Sequence, residues 1–181
     1  MGGGRSAIAA KIDPEKLRAA VIEAFGAEEA AAETFDDFYD VKSFCREHSE
    51  MLGGEVGQEA WYIWKSGDWS VMGDLSMELP DNDDALTRLS KTVGAVVACA
   101  IDPYQEYAFF ARFEDGGLKR RLVLEDEEIL EEGLPVKAER GRQMEDFNEE
   151  EAGRLWQSHD LPTFDHDPLD GPFVCVAVKL G

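Results

Sequence analysis

Residues 95–124 constrain the fold more tightly than any other stretch. Ala95 to Ile101 is an unbroken apolar run, the pattern of a central strand. Asp102-Pro103 turns the chain, and Tyr104, Tyr107, Phe109, Ala111 and Phe113 mark a second extended segment. Glu114-Asp115-Gly116-Gly117 reads as a hairpin loop, and Leu118 to Leu124 returns as a third strand. Lys119, Arg121 and Val123 alternate there with Leu118, Arg120, Leu122 and Leu124, which predicts one wet face. A meander of this kind must recruit further strands or helices to bury its apolar side.

The remaining chain supplies them. Glu59 to Lys65 carries Trp61, Tyr62, Ile63 and Trp64, Ser66-Gly67-Asp68 makes a tight turn, and Trp69-Ser70-Val71-Met72 returns. Leu75, Met77 and Leu79 alternate with polar residues and extend this second hairpin. Trp61, Trp64 and Trp69 read as core residues rather than as a ligand platform. Ser6 to Ile12 allows a short strand, and Pro172 to Leu180 reads as a hydrophobic strand internal to the sheet.

Capping residues and periodicity place four helices. Asp13 caps and Pro14 opens a helix at 14–25, with Leu17, Val21, Ala24 and Phe25 on one face and Gly26 as its stop. Ala27 to Ala32 has high helix propensity, which predicts a short helical continuation. Thr34, with Asp37 three residues on, predicts the cap of a helix at 35–52, whose apolar side carries Phe38, Val41, Cys45, a packed His48 and Leu52. Asp81-Asn82-Asp83-Asp84 caps a helix at 84–93, and Asn148 opens another at 148–158 with Ala152, Leu155 and Trp156 inside. The sequence thus predicts a single α+β domain over 13–181, after a leader and possible short strand in 1–12. Its mainly antiparallel sheet has strands near 59–65, 69–79, 95–101, 105–113, 118–124 and 172–179, with the helices packed on one face.

Charge limits the partners. The 181 residues carry 39 acidic and 18 basic side chains, a formal net charge of −21. Such a surface repels nucleic-acid phosphates and anionic lipids and steers cationic partners inward. Lys119-Arg120-Arg121 is too short to offset that field, so no nucleic acid is expected. Acidity of this degree also suits a salt-rich habitat, in which case it says nothing of partners. Cys45, Cys99 and Cys175 lie in apolar surroundings, so the expectation is free thiols in a reducing, cytoplasmic compartment. No stretch reaches the ~20 apolar residues of a membrane helix. Met1-Gly2-Gly3-Gly4-Arg5-Ser6 fits the myristoylation pattern with Gly2 as acceptor. One acyl chain without a basic patch anchors weakly, so a flexible leader and no stable membrane association are expected.

Two clusters are candidate sites. The first is the acidic run Glu125, Asp126, Glu127, Glu128, Glu131 and Glu132, read either as a solvated connector or short helical turn, or as a docking patch for a basic protein. The second is His159-Asp160-Leu161-Pro162-Thr163-Phe164-Asp165-His166-Asp167, where His159, Asp165, His166 and Asp167 offer nitrogen and oxygen donors for a divalent ion. Its spacing matches no zinc signature, and Pro168 interrupts a calcium-loop reading. No nucleophile elbow, phosphate loop or dinucleotide fingerprint is present, and no cofactor is expected.

The Trp-rich hairpin, the Leu89-Ser90 step in a helix, the aromatic meander and the acidic segment before Leu134-Pro135 resemble small bacterial α+β domains. The resemblance spans Trp61 to Gly141, under half of the chain. Some such domains are immunity proteins of toxin systems, so the resemblance implies a non-enzymatic binding role; it transfers no functional residue. The leading expectation is an acidic protein-binding domain, an immunity-type inhibitor of a basic partner. The alternative is a small metal-dependent hydrolase built on 159–167.

Overall fold

A computed structural model of the chain describes residues 4–181. The Gly2 acylation pattern lies outside the described residues. The elements are strand β1 (Arg5–Ala10), helix α1 (Pro14–Ala24), β2 (Glu28–Phe35), α2 (Phe38–His48), β3 (Gln58–Ser66), β4 (Trp69–Gly73), α3 (Asp83–Val93), β5 (Ala95–Asp102), β6 (Tyr107–Glu114), β7 (Gly117–Glu125), β8 (Glu128–Gly133), α4 (Glu149–Gln157) and β9 (Phe173–Lys179). All nine strands join one antiparallel sheet in the order β2-β9-β3-β4-β1-β5-β6-β7-β8. The α+β class holds, and both hairpins and the β5–β7 meander form where their turn residues place them.

Each of the four described α-helices begins at a side-chain cap. Asp13 accepts from the Lys16 amide at 3.2 Å, Asp37 from Tyr39 at 2.8 Å, Asn82 from Ala85 at 3.0 Å and Asn148 from Glu151 at 2.9 Å. The cap of α2 is Asp37 rather than Thr34, which is taken up in β2.

The helices do not gather on one face, which corrects the sequence expectation. On β1, Ile8 and Ala10 join a core under α1 and α3, while Ala7 and Ala9 face the opposite way, into a core under α4. The central run of β5 divides likewise: Val96, Ala98 and Ala100 go to the first core, and Val97, Cys99 and Ile101 to the second. On that second side α2 covers Ala60, Tyr62, Cys175 and Ala177. A strand apolar at every position has no side to offer water, so it needs helices above and below.

Three segments depart from expectation in secondary structure. Residues 27–32 are helix-prone, yet Glu28–Phe35 is the edge strand β2, because β9 leaves an open edge and hydrogen-bond pairing outweighs a propensity difference of tenths of a kcal/mol per residue. The alternation at Leu75, Met77 and Leu79 does not extend β4, because Asp74 folds the following loop onto its own carboxylate. The acidic run is neither a connector nor a helical turn. It is a hairpin in which Glu125 pairs with Glu128, and Asp126 (φ 51°) and Glu127 (φ 64°) form the two-residue turn.

Candidate functional site

Helix α3 packs on β5, β6 and β7, and Asp83 at its N-terminal end borders the face of the outer strands β6–β8. A groove of about 450 Å³ lies there, between the segment that follows β4 and the sheet. Tyr107 and Phe109 of β6, Val123 of β7 and Leu130 of β8 give it apolar walls. Six acidic residues line it, Asp81, Asp83, Asp102, Glu125, Glu131 and Glu132, against a single cation, Arg121.

Those charges are partly committed. Arg121 pairs with Asp83 and, at 3.2 Å, with Glu132, while its Nε is buried without a partner. Asp102 accepts from the Tyr104 amide at 3.1 Å and from the Gln105 side chain at 3.0 Å, and so serves its turn. Glu131 turns its carboxylate to Arg120 at 2.8 Å. Asp81 and Glu125 enter no ion pair among the described residues and line the groove. Burial first, and then these two carboxylates, push the Tyr107 phenol well above its ordinary range, so it stays a hydrogen-bond donor.

Beneath the same hairpin, on the face of α4, lies the best-connected cation of the protein. Arg120 is 1% exposed. Its guanidinium donates to Glu139 at 2.6 and 3.0 Å, to Glu131 at 2.8 Å and to the Gly133 carbonyl at 3.0 Å. Burial works against its charge, but the Glu139 and Glu131 bonds outweigh that and hold its pKa up. This network ties β7, β8 and the loop after β8 into one unit.

Of the six acidic residues read as a docking patch, Glu125, Glu131 and Glu132 line the groove, Asp126 and Glu127 form the exposed tip of the hairpin, and Glu128 pairs with Glu125 at its base. Sequence reasoning missed Tyr107, Arg121, Asp81 and Asp83 as groove residues. The inward alternation of β7 was visible; the approach of the α3 cap to it was not.

The His/Asp cluster does not form a donor set. His159 Nδ1 lies 2.8 Å from the Leu155 carbonyl, and its Nε2 faces the Arg112 guanidinium at 3.4 Å. Burial, and then that cation, push its imidazole below the ordinary range. Asp167 is taken by Lys42 at 2.5 Å and Arg5 at 2.7 Å; burial opposes its charge, but the two cations hold its carboxyl low. Asp165 and His166 are exposed, with the His166 ring turned to the Asp167 carbonyl at 2.8 Å. Among the described residues no three His, Cys, Asp or Glu side chains gather as a metal site. The loop instead packs Leu161 and Phe164 over Trp156, whose indole N–H donates to the Pro162 carbonyl at 3.0 Å.

Cys45, Cys99 and Cys175 are free and buried, and burial pushes all three thiols up, Cys175 to about 12. Buried neutral thiols make poor nucleophiles. No described helix is long and apolar enough to cross a membrane. No family model, no curated protein and no solved structure matches the chain.

Proposed function

We propose that the protein is a non-enzymatic binding domain that docks a basic segment of a protein partner in the groove over β6–β8, as an immunity-type inhibitor does. The observation that carries this reading is the lining itself: five carboxylates, Glu131 having turned its own to Arg120, and one guanidinium around apolar walls. Carboxylates at the rim speed encounter, and Tyr107, Phe109 and Leu130 supply the desolvated contact that slows release. The field of the whole molecule, at −21, draws the same class of partner from a distance. Three free buried thiols are compatible with a reducing compartment, and the proposed role is cytoplasmic.

A labelled hexa-arginine peptide tests the site. The triple variant Asp81→Asn/Glu125→Gln/Glu132→Gln is compared with a control triple on the opposite sheet edge, Glu28→Gln/Glu33→Gln/Asp36→Asn. Three exposed carboxylates at roughly 0.5 kcal/mol each amount to about a tenfold loss of affinity. That loss is expected for the groove triple, with less than twofold for the control and an association rate that falls as salt rises. Equal losses in the two triples, or no binding to the natural sequence, overturn the reading.

A further inference from the structure

Asp74 and Glu59 are the most deeply buried carboxyl groups outside the groove, at 1% and 5% exposed. Asp74 follows β4, and its main chain is anchored to β1: its amide donates to the Ser6 carbonyl at 3.0 Å, and the Ser6 hydroxyl donates to its carbonyl at 2.8 Å. Its carboxylate then gathers the next residues. Oδ1 accepts from the Ser76 amide at 2.9 Å, and Oδ2 accepts from Glu78 at 2.8 Å and Leu79 at 2.7 Å. These bonds shape the segment 74–82, which puts Ser76, Met77 and Asp81 into the groove wall. Met77 sits there at φ 62°, a left-handed conformation that costs a non-glycine residue on the order of 1 kcal/mol. Something must hold it.

The hold contains a proton-counting problem. Ser76 Oγ lies 2.6 Å from Asp74 Oδ1 and 2.8 Å from Glu59 Oε2. Both are hydrogen-bond distances, yet a hydroxyl carries one proton and can donate to only one acceptor. With both carboxyls ionised, one carboxylate would meet the serine lone pairs in a buried place, an unsatisfied contact next to a like charge. A proton on one carboxyl completes the chain. Asp74 has three amide donors to stabilise its ionised form, whereas Glu59 has only the Ser76 and Ser49 hydroxyls, the latter at 3.2 Å. The proton therefore rests on Glu59, whose O–H donates to Ser76 while Ser76 donates to Asp74.

We infer that one proton shared through Glu59, Ser76 and Asp74 latches the 74–82 segment, and with it one wall of the groove, and that the latch opens when rising pH removes this proton. The inference is independent of what the groove binds.

The surroundings act in the same direction. Burial raises both carboxyls; the Ser76 hydroxyl and the three amides pull Asp74 back, while Asp74 and Glu78 push Glu59 further up. Burial first, then Asp74, and then Glu50 on the turn after α2 raise Glu78 as well. Cys45 of α2 and Tyr62 of β3 also face the pair, and burial keeps both neutral. A carboxyl raised in the folded state contributes stability that is full below its unfolded pKa of about 4.3 and is lost as pH rises through the folded value.

Infrared spectroscopy and amide exchange on the full chain test the latch. In a pH titration the natural protein should show the carbonyl stretch of a protonated carboxyl that persists above the ordinary glutamate range, and Glu59→Gln, which copies the protonated form, should lack it. Amide protection at Glu78 and Leu79, taken as the ratio of Glu59→Gln to natural protein at each pH, should grow by up to about tenfold per pH unit between the ordinary glutamate pKa of about 4.3 and the folded value, and level off above it. Absence of a carboxyl that titrates above the ordinary glutamate range, its persistence in Glu59→Gln, or a ratio that stays flat with pH overturns the inference. The infrared measurement on the natural protein decides even if the variant does not fold.

Discussion

Replacing Arg120 by methionine tests whether the outer hairpin depends on its buried ion network. The substitution keeps the length and most of the volume of the side chain but removes the guanidinium. Glu139, 11% exposed at its side chain, then loses its paired cation and keeps only the Val136 amide, at 2.7 Å. The Gly133 carbonyl loses its donor as well. Breaking a buried pair from one side costs about 3–5 kcal/mol, since the remaining charge stays without compensation. Stability of a domain is about 5–15 kcal/mol, so the loss takes a large share of it. Glu131 is 45% exposed at its side chain, and Glu131→Gln should cost less than about 1 kcal/mol. The double variant Arg120→Met/Glu139→Leu removes both buried charges and should recover most of the loss. Urea unfolding followed by tryptophan fluorescence measures these proteins together with the single variant Glu139→Leu, and the double-mutant cycle isolates the pair. A single-variant loss under about 1 kcal/mol, or a double variant equal to the sum of its singles, refutes the reasoning.

Two further outcomes follow from local geometry. Asp126 and Glu127 hold a turn with positive φ at both positions without a glycine, so Glu127→Gly should stabilise the β7–β8 hairpin by about 0.5–1 kcal/mol, read as a higher urea midpoint at unchanged slope. His159, lowered by burial and by Arg112, should contribute stability that is present above pH about 6.5 and declines as pH falls below it, since only the unfolded chain protonates freely there; the decline should be absent in His159→Gln.

The comparison of sequence with structure is most instructive at particular segments. Asp13-Pro14, Asn82 and Asn148 announce their helices because a cap acts on amides two or three residues away. The Ser66-Gly67-Asp68 and Asp115-Gly116 turns announce their hairpins for the same local reason. Glu28–Phe35 could not be read, since its strand state depends on the open edge of a strand that lies far along the chain. The groove was half legible. Glu125, Glu131 and Glu132 stood out as a run, but Asp81 and Asp83 reach it only because α3 packs on β5, β6 and β7.

Short-range chemistry in the chain dictated the helix starts, the tight turns, the two hairpin units and the negative field, because each depends on neighbours within a few residues or on simple summation. Folding in three dimensions settled which strand lies beside which, that helices cover both sheet faces, and that a serine sits between two buried carboxyls. Those outcomes require residues far apart in sequence to meet, and only the packing of the whole sheet brings Glu59 to Ser76 and Arg120 to Glu139.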